Sequence, residues 1–356
     1  IDSFNEGYST STALIRRRIR DTGLKVEQGV IGRRSRTDYA LMYIEDLAEK
    51  ELLDDIRERI SAYEIDAIYD SAMAEHLMEK KWYNPFPVFQ STTRPDKAAA
   101  AIADGRVAIV CDNSPEVLLV PATMNTLFQT ADDYYNRWPV AVFARIIRYA
   151  AAFIAIFLPG IYIALTCFER EMLPDKLLYA IANARSNLSF PIVVEVLIME
   201  LLFELLREAG IRLPEKLGNT IGVVGGLIVG QAAVEAGIVS TIVVIVVALT
   251  AIASFAIPNE AFASIFRLFK FVAIIFGALF GIFGCYILMM FLIVYLSGIE
   301  SFGVPYLSPL ISDRCDTQAY KDFVLRAPII SMFFRPEFAD RRQRVRLRRR
   351  SKGGCK

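Results

Sequence analysis

FVAIIFGALFGIFGCYILMMFLIVYLSGI, residues 271–299, runs for 29 positions without a charged side chain. A helix rises about 1.5 Å per residue and the hydrocarbon core of a bilayer is about 30 Å thick, so about 20 apolar residues cross it. Residues 149–168 and 236–259 are likewise uncharged over 20 and 24 positions. A soluble protein would have to bury three helices that are apolar on every face. The simpler expectation is a transmembrane helical domain over 149–299.

Two neighbouring segments are less uniform. Residues 217–234 lack charge but are rich in glycine. Residues 189–209 are apolar but interrupted by Glu195, Glu200, Glu204 and Glu208. The last three recur every fourth residue, so they share one helix face. An acidic side chain at the bilayer centre costs about 2.5–3.5 kcal/mol, so the stripe must face water, a pore or a protein partner. A pore lined by it would favour cations; pairing with Arg185, Arg207 or Arg212 would make it structural. Gly222, Gly226 and Gly230 form GxxxGxxxG, and Gly277 and Gly281 form GxxxG. Small residues at this spacing let helices approach closely in lipid, which marks these five as candidate packing positions.

Charge divides the chain into three zones. Residues 1–148 carry 19 Lys and Arg against 23 Asp and Glu, ordinary for a soluble domain. The last 22 residues carry 10 against 2. The basic tail, residues 300–356, should stay cytoplasmic. The head shows no export signal and is expected on the same side, which requires an even number of crossings. About four fit, made of the three uncharged runs plus one of the two irregular segments, the other being re-entrant or interfacial. The opening residues, Ile1 to Phe4, read as the interior of a longer chain. The five cysteines are widely spaced without a CxxC pair, so reduced thiols are expected.

The head alternates helical and strand patterns. Helices are expected at 10–20, 49–62 and 97–104, and strands at 39–44, 86–90, 106–111 and 117–120. Thr93 and Asp96 have the spacing of a capping box. Gly105 follows the third helix, and residues 112–115 read as a turn. The expected architecture is an α/β soluble N-terminal domain with a small mixed sheet, followed by an α-helical multi-span membrane domain. Nothing points to catalysis or a cofactor. Phosphate-loop, dinucleotide, nucleophile-elbow and zinc-protease motifs are absent, and His76 is the single histidine. Asp132-Asp133 reads more simply as a helix cap than as a cation site. The cluster Arg16, Arg17, Arg18 and Arg20 could meet anionic lipid or nucleic acid, but a salt-bridged helix face accounts for it.

Taken in order, several strings carry a resemblance. They are SFNE at 3–6, LIRRRI at 14–19, SRTDYALMYIEDLA at 35–48, TRPD at 93–96, GRVAIVCDNSP at 105–115, DDYY at 132–135 and LPGIYIAL at 158–165. They continue with REAGIRLP at 207–214, VGGLIVGQAAVEAG at 224–237, GVPYLSP at 303–309, RAP at 326–328 and RP at 335–336. The chain resembles the A subunit of GerA-type spore germinant receptors of endospore-forming bacteria. It departs from that pattern at Thr93, where the family usually has glutamate, and at Asn113, where it usually has glycine. The resemblance implies a multi-pass protein of the spore inner membrane that takes part in germination. It implies a permease-like B subunit and a lipoprotein C subunit as partners. It further implies a homo-oligomer of A subunits contributing to a nutrient-gated ion channel. From the residues alone, a secondary transporter or a structural scaffold would also fit, and nucleic acid is not an expected partner.

Overall fold

The structure is a computed structural model and describes residues 2–186, 188, 190–212, 226, 228–311, 319–336 and 338–347. The chain divides into two compact units, Ile1–Ile146 with Tyr295–Lys356, and Ile147–Val294.

The first unit is built on five strands: β1 (Leu24–Ile31), β2 (Thr37–Ile44), β3 (Gln90–Thr92), β4 (Val107–Cys111) and β5 (Val117–Val120). Their order is β1-β2-β4-β5-β3, and every pairing is antiparallel. The expected mixed sheet is thus antiparallel throughout its described strands. All four pairings can be made without the long crossover that parallel neighbours need. Period-two alternation places Ala40, Met42 and Ile44 with Ala108, Val110, Val117 and Leu119 on one face. There they pack with Ile15 of α1 (Tyr8–Arg18) and Ala98 and Ile102 of α4 (Pro95–Ala103). Leu41, Ile109 and Leu118 stand in register on the other face and are buried as well. Burial on both faces explains why residues 107–111 read as one continuous apolar run.

Local chemistry corrects several expectations. The strand expected at 86–90 lies at Gln90–Thr92. Strand β1 was not anticipated, because Lys25, Glu27 and Gln28 interrupt its apolar residues. Arg94, not Thr93, precedes α4, and Pro95 opens that helix with its fixed φ. No capping box forms there; Asp96 pairs with Arg94 at 2.7 Å instead. Asn113 has φ +64° in the turn between β4 and β5, a left-handed conformation that asparagine tolerates better than other non-glycine residues. Arg17 and Arg18 pair with Asp2, as a salt-bridged face would.

Residues from Tyr295 onward belong to this same unit. Ser301 is fully buried, donating to the Val88 carbonyl at 2.7 Å and accepting the Ala122 N–H at 3.0 Å. Phe302 stacks edge-on against Phe89 under the Arg59 guanidinium. Further on, Ala339 crosses Gly105, whose φ is +93°; a Cβ there would lie 2.6 Å from the Ala339 Cα. Gly105 therefore does more than end a helix, since its missing side chain admits the returning strand of chain.

Arg145 anchors the stretch between these two contacts. It is 1% exposed in α7 (Trp138–Cys167). Its guanidinium donates to Asp133 at 3.2 Å, to the Asp322 carboxylate at 2.7 Å and to the Phe323 carbonyl at 2.9 Å. The Tyr134 hydroxyl donates to the other Asp322 oxygen at 2.6 Å, and Asn125 and Gln129 donate to its carbonyl. Arg326 reaches back to the Asp133 and Asn136 carbonyls. Asp133 is thus a buried ion-pair member as well as the acceptor for the Thr130 N–H.

The second unit is helical. It holds the remainder of α7, α8 (Asp175–Ala184), α9 (Ile192–Arg212), helical residues 228–235, α10 (Thr241–Phe255) and most of α11 (Glu260–Ser297). Trp138–Cys167 and Glu260–Ser297 are long and apolar enough to cross a membrane; α10, at 15 residues, is shorter. Val196 and Met199 of α9 pack with Val243 and Val247 of α10 and with Ile163 and Ile274.

Helix α11 is not one straight rod. Gly281 has φ +63° and ψ −148°, outside helical space. The Ile282 N–H is turned to the Glu169 carboxylate at 3.3 Å, as at the start of a new helix. A Cβ on Gly160 would meet the Ala273 carbonyl at 2.5 Å and the Cys285 sulfur at 3.2 Å. On a straight helix Ala273 and Cys285 would be about 18 Å apart. A Cβ on Gly284 would strike the Phe276 carbonyl oxygen. The chain therefore folds back sharply at Gly281, and the expected single span over 271–299 is two helical arms.

Two outcomes test this architecture. Arg145→Met leaves Asp133 and Asp322 without their shared cation, which should cost about 3–5 kcal/mol and accelerate hydrogen exchange across 319–327. Exchange at the wild-type rate would show that the segment is held elsewhere. Spin labels at the exposed positions Leu268 and Val294 would lie about 39 Å apart on a straight helix, and half that or less on a folded-back one. A distance near the longer value would remove the break at Gly281.

Candidate functional site

The acidic residues of α9 run from a buried end to an exposed one. Glu195 is 0% exposed and Glu200 is 1% exposed. Glu204 is partly buried, and Glu208 faces outward. Each carboxylate has a cation. Glu195 lies 3.1 Å from Arg185 and accepts the Ser240 N–H at 3.1 Å, holding the start of α10. Glu200 meets the Lys270 ammonium at 2.5 Å, with both side chains buried. Glu204 meets Arg267 at 3.1 Å. Glu208 pairs with Arg212 one turn along its own helix at 2.6 Å.

Two of these cations, Arg267 and Lys270, were not among the expected partners. They lie on α11, three residues apart, opposite glutamates four residues apart. That spacing is the signal a reading by charge-free runs misses, because such a run begins only after Lys270. Arg207, by contrast, has no carboxylate within salt-bridge range among the described residues. It has a 3.5 Å contact with the Ser254 hydroxyl and lies over the Phe255 ring at 5.0 Å.

Glu204, Arg207, Glu260, Arg267 and Lys270 line a cavity of about 740 Å³, together with apolar residues that include Phe255, Ile257 and Ala263. One Arg267 nitrogen there is buried without a hydrogen-bond partner among the described residues. The site is a polar pocket inside an apolar helical unit, with three cations against two carboxylates. It offers charged groups to an ion or an acidic group, not a nucleophile with a base. Among the described residues no three His, Cys, Asp or Glu side chains gather to hold a metal ion.

The glycines behave differently from one another. Gly277 packs on Gly160, where a Cβ would meet the Gly160 carbonyl oxygen at 2.5 Å, and Gly281 makes the helix break beside Phe168 and Glu169. Gly230 has only the Val244 side chain near it, at 3.7 Å, and Gly226 has nothing within 4 Å among the described residues. Gly222 lies outside the described residues.

Comparison with known proteins bears on the whole chain. Residues 1–338 match the family model of the Bacillus/Clostridium GerA spore germination protein. The chain is 42% identical over 343 residues to spore germination protein KA of Bacillus subtilis, covering 96% of this chain and 63% of that one. It is 42% identical over 327 residues to spore germination protein A1 of the same organism, covering 92% and 67%. An uncharacterized membrane protein of Bacillus subtilis, YfkQ, is 41% identical over 335 residues, covering 94% and 65%. The chain thus spans about two thirds of the length of these relatives. The crystal structure of the N-terminal domain of the A subunit of the Bacillus megaterium spore germinant receptor GerK3 is 34% identical, covers 35% of this chain and 98% of its own, and superposes with a TM-score of 0.29. With the family model matching residues 1–338, nearly the whole chain, the chain belongs to the GerA family of spore germination proteins.

Proposed function

We propose that the chain is a membrane subunit of a spore germinant receptor whose helical unit lies in the spore inner membrane and contributes to a nutrient-gated ion channel. The observation that carries this reading is a line of buried charges inside a unit whose outside is apolar. Ile245, Ile252, Phe283 and Phe291 are each more than half exposed on that outside. In water such a surface is a liability, and lipid is its natural solvent. Buried ionisable groups at membrane depth mark ion or substrate pathways. The helices cross more than once, with the sheet unit on the cytoplasmic side. A permease-like B subunit and a lipoprotein C subunit are its partners, and several A subunits assemble around the pathway.

The pairing favours a second reading, in which the same charges only join α9 to α11 and the chain is a scaffold of the receptor. The two readings separate when the pair is removed as a pair. Glu200→Gln alone strands the Lys270 ammonium, which should cost about 3–5 kcal/mol and lower the protein level in spores. Glu200→Leu with Lys270→Met replaces the pair by apolar groups of similar size and should restore the level, because such exchanges are commonly neutral or stabilising. In those spores the channel reading expects nutrient-triggered ion release to fall. Normal release at normal protein level would leave the pair a structural role alone.

The membrane placement has its own test. A cysteine at the exposed Tyr69 should react with an impermeant thiol reagent from the cytoplasmic side, and one at the exposed Met172 from the opposite side. Labelling of both from one side would contradict a crossing by α7.

A further inference from the structure

A second cavity, of about 470 Å³, lies within the sheet unit. Helix α4 forms one wall, residues 123–135 another, and the returning segment 329–347 the third. Its apolar surface comes from Ala100, Ile329, Met332, Phe334 and Phe338. The volume is that of an ordinary small-molecule site, about 300–1,000 Å³.

The charges at its wall are nearly all occupied. Asp96 is held by Arg94 at 2.7 Å and by the Tyr135 hydroxyl at 2.9 Å. Asp322 belongs to the Arg145 clamp. Arg106 donates to Gln90 at 2.7 Å and to the Leu119 carbonyl at 3.1 Å. Arg335 donates to the carbonyls of Ala103 and Gln343 at 3.0 and 2.6 Å. Asp104 lies 3.2 Å from Arg346. Lys97 is held most weakly, although Arg106 and Arg335 also meet only neutral acceptors and the Arg106 Nε is buried without a hydrogen-bond partner among the described residues. The Lys97 ammonium has one long contact, 3.4 Å to the Gln129 carbonyl, and no carboxylate within salt-bridge range among the described residues.

Lys97 is partly buried, and a bound anion would make up for the hydration its ammonium has lost. Burial, with Arg106 and Arg94 nearby, lowers the Lys97 pKa to about 8, which fits a cation short of partners. We propose that this cavity binds a small organic anion with an apolar body, its acid group on Lys97 and its hydrocarbon part against Met332, Phe334 and Phe338. An occupant would touch α4 and the returning segment together. The proposal does not depend on the channel reading, since it concerns the sheet unit alone.

The probe is 4-(trifluoromethyl)phenylacetate, followed by fluorine NMR with the full chain in lipid nanodiscs and empty nanodiscs subtracted. The neutral amide, 4-(trifluoromethyl)phenylacetamide, is the control. The acid should bind saturably and the amide about tenfold more weakly or worse, the worth of one charge-assisted hydrogen bond. Lys97→Met should raise the dissociation constant of the acid about tenfold or more while leaving that of the amide unchanged. Ala100→Phe, which places a ring in the cavity from an exposed position on α4, should remove both. Equal binding of acid and amide, an unchanged constant in Lys97→Met, or no saturable binding of the acid would each overturn the proposal.

Discussion

A carboxylate cannot remain charged inside an apolar helix bundle without a cation against it, and the second unit is organised around that constraint. Glu200 and Lys270 are both buried and 2.5 Å apart. Glu204 and Arg267 repeat the pairing about one turn away. Two consecutive rungs fix the register of α9 against α11, because sliding either helix by a turn would strand two charges at once. Desolvation makes such pairs poor sources of net stability but strong selectors of one arrangement over others. Close approach settles the rest. Gly160 admits the backbone of Ala273 and Gly277, so α7 and α11 meet without intervening side chains.

The sheet unit uses the same device for another end. Arg145 joins Asp133 to Asp322, residues far apart in sequence, and Tyr134 completes the shell around the Asp322 carboxylate. The segment after Tyr295 has few regular hydrogen bonds of its own. It is held by point contacts, through Ser301, Asp322, Arg326 and the Ala339 crossing at Gly105. Residues that look like loop in the sequence are therefore structural, and they form one wall of the cavity beside Lys97.

What was legible in the sequence is what repeats locally. The β4 and β5 strands and their turn were visible because both strands are apolar on both faces and the turn carries Asp112, Asn113 and Pro115. The acidic stripe was visible from its spacing of four. Arg185 and Arg212 were within reach of that reading, but the partners of Glu200 and Glu204 were not, because Lys270 and Arg267 are distant in sequence and pairing is a tertiary fact. Gly281 looked like half of a GxxxG contact, since a positive φ leaves no trace in the sequence beyond the glycine itself. Strand β1 was hidden by its polar residues, and Asp133 looked like a cap because the arginine it faces, Arg145, is a full α7 turn and more downstream. The overall charge pattern of the C-terminal region suggested a tail, whereas the contacts that place it in the sheet unit depend on single residues.

The central claim is that the glutamates of α9 are ion-paired within the chain while it sits in lipid. Solid-state NMR can read this directly in the full chain reconstituted in bilayers, as the dipolar coupling between lysine 15Nζ and glutamate 13Cδ, with Lys270→Met identifying the pair. The account predicts a coupling for Glu200 and Lys270 that corresponds to a separation under about 4 Å, as a charge-assisted hydrogen bond requires. A spectrum unchanged by Lys270→Met, with no such coupling assignable to Glu200, would contradict it.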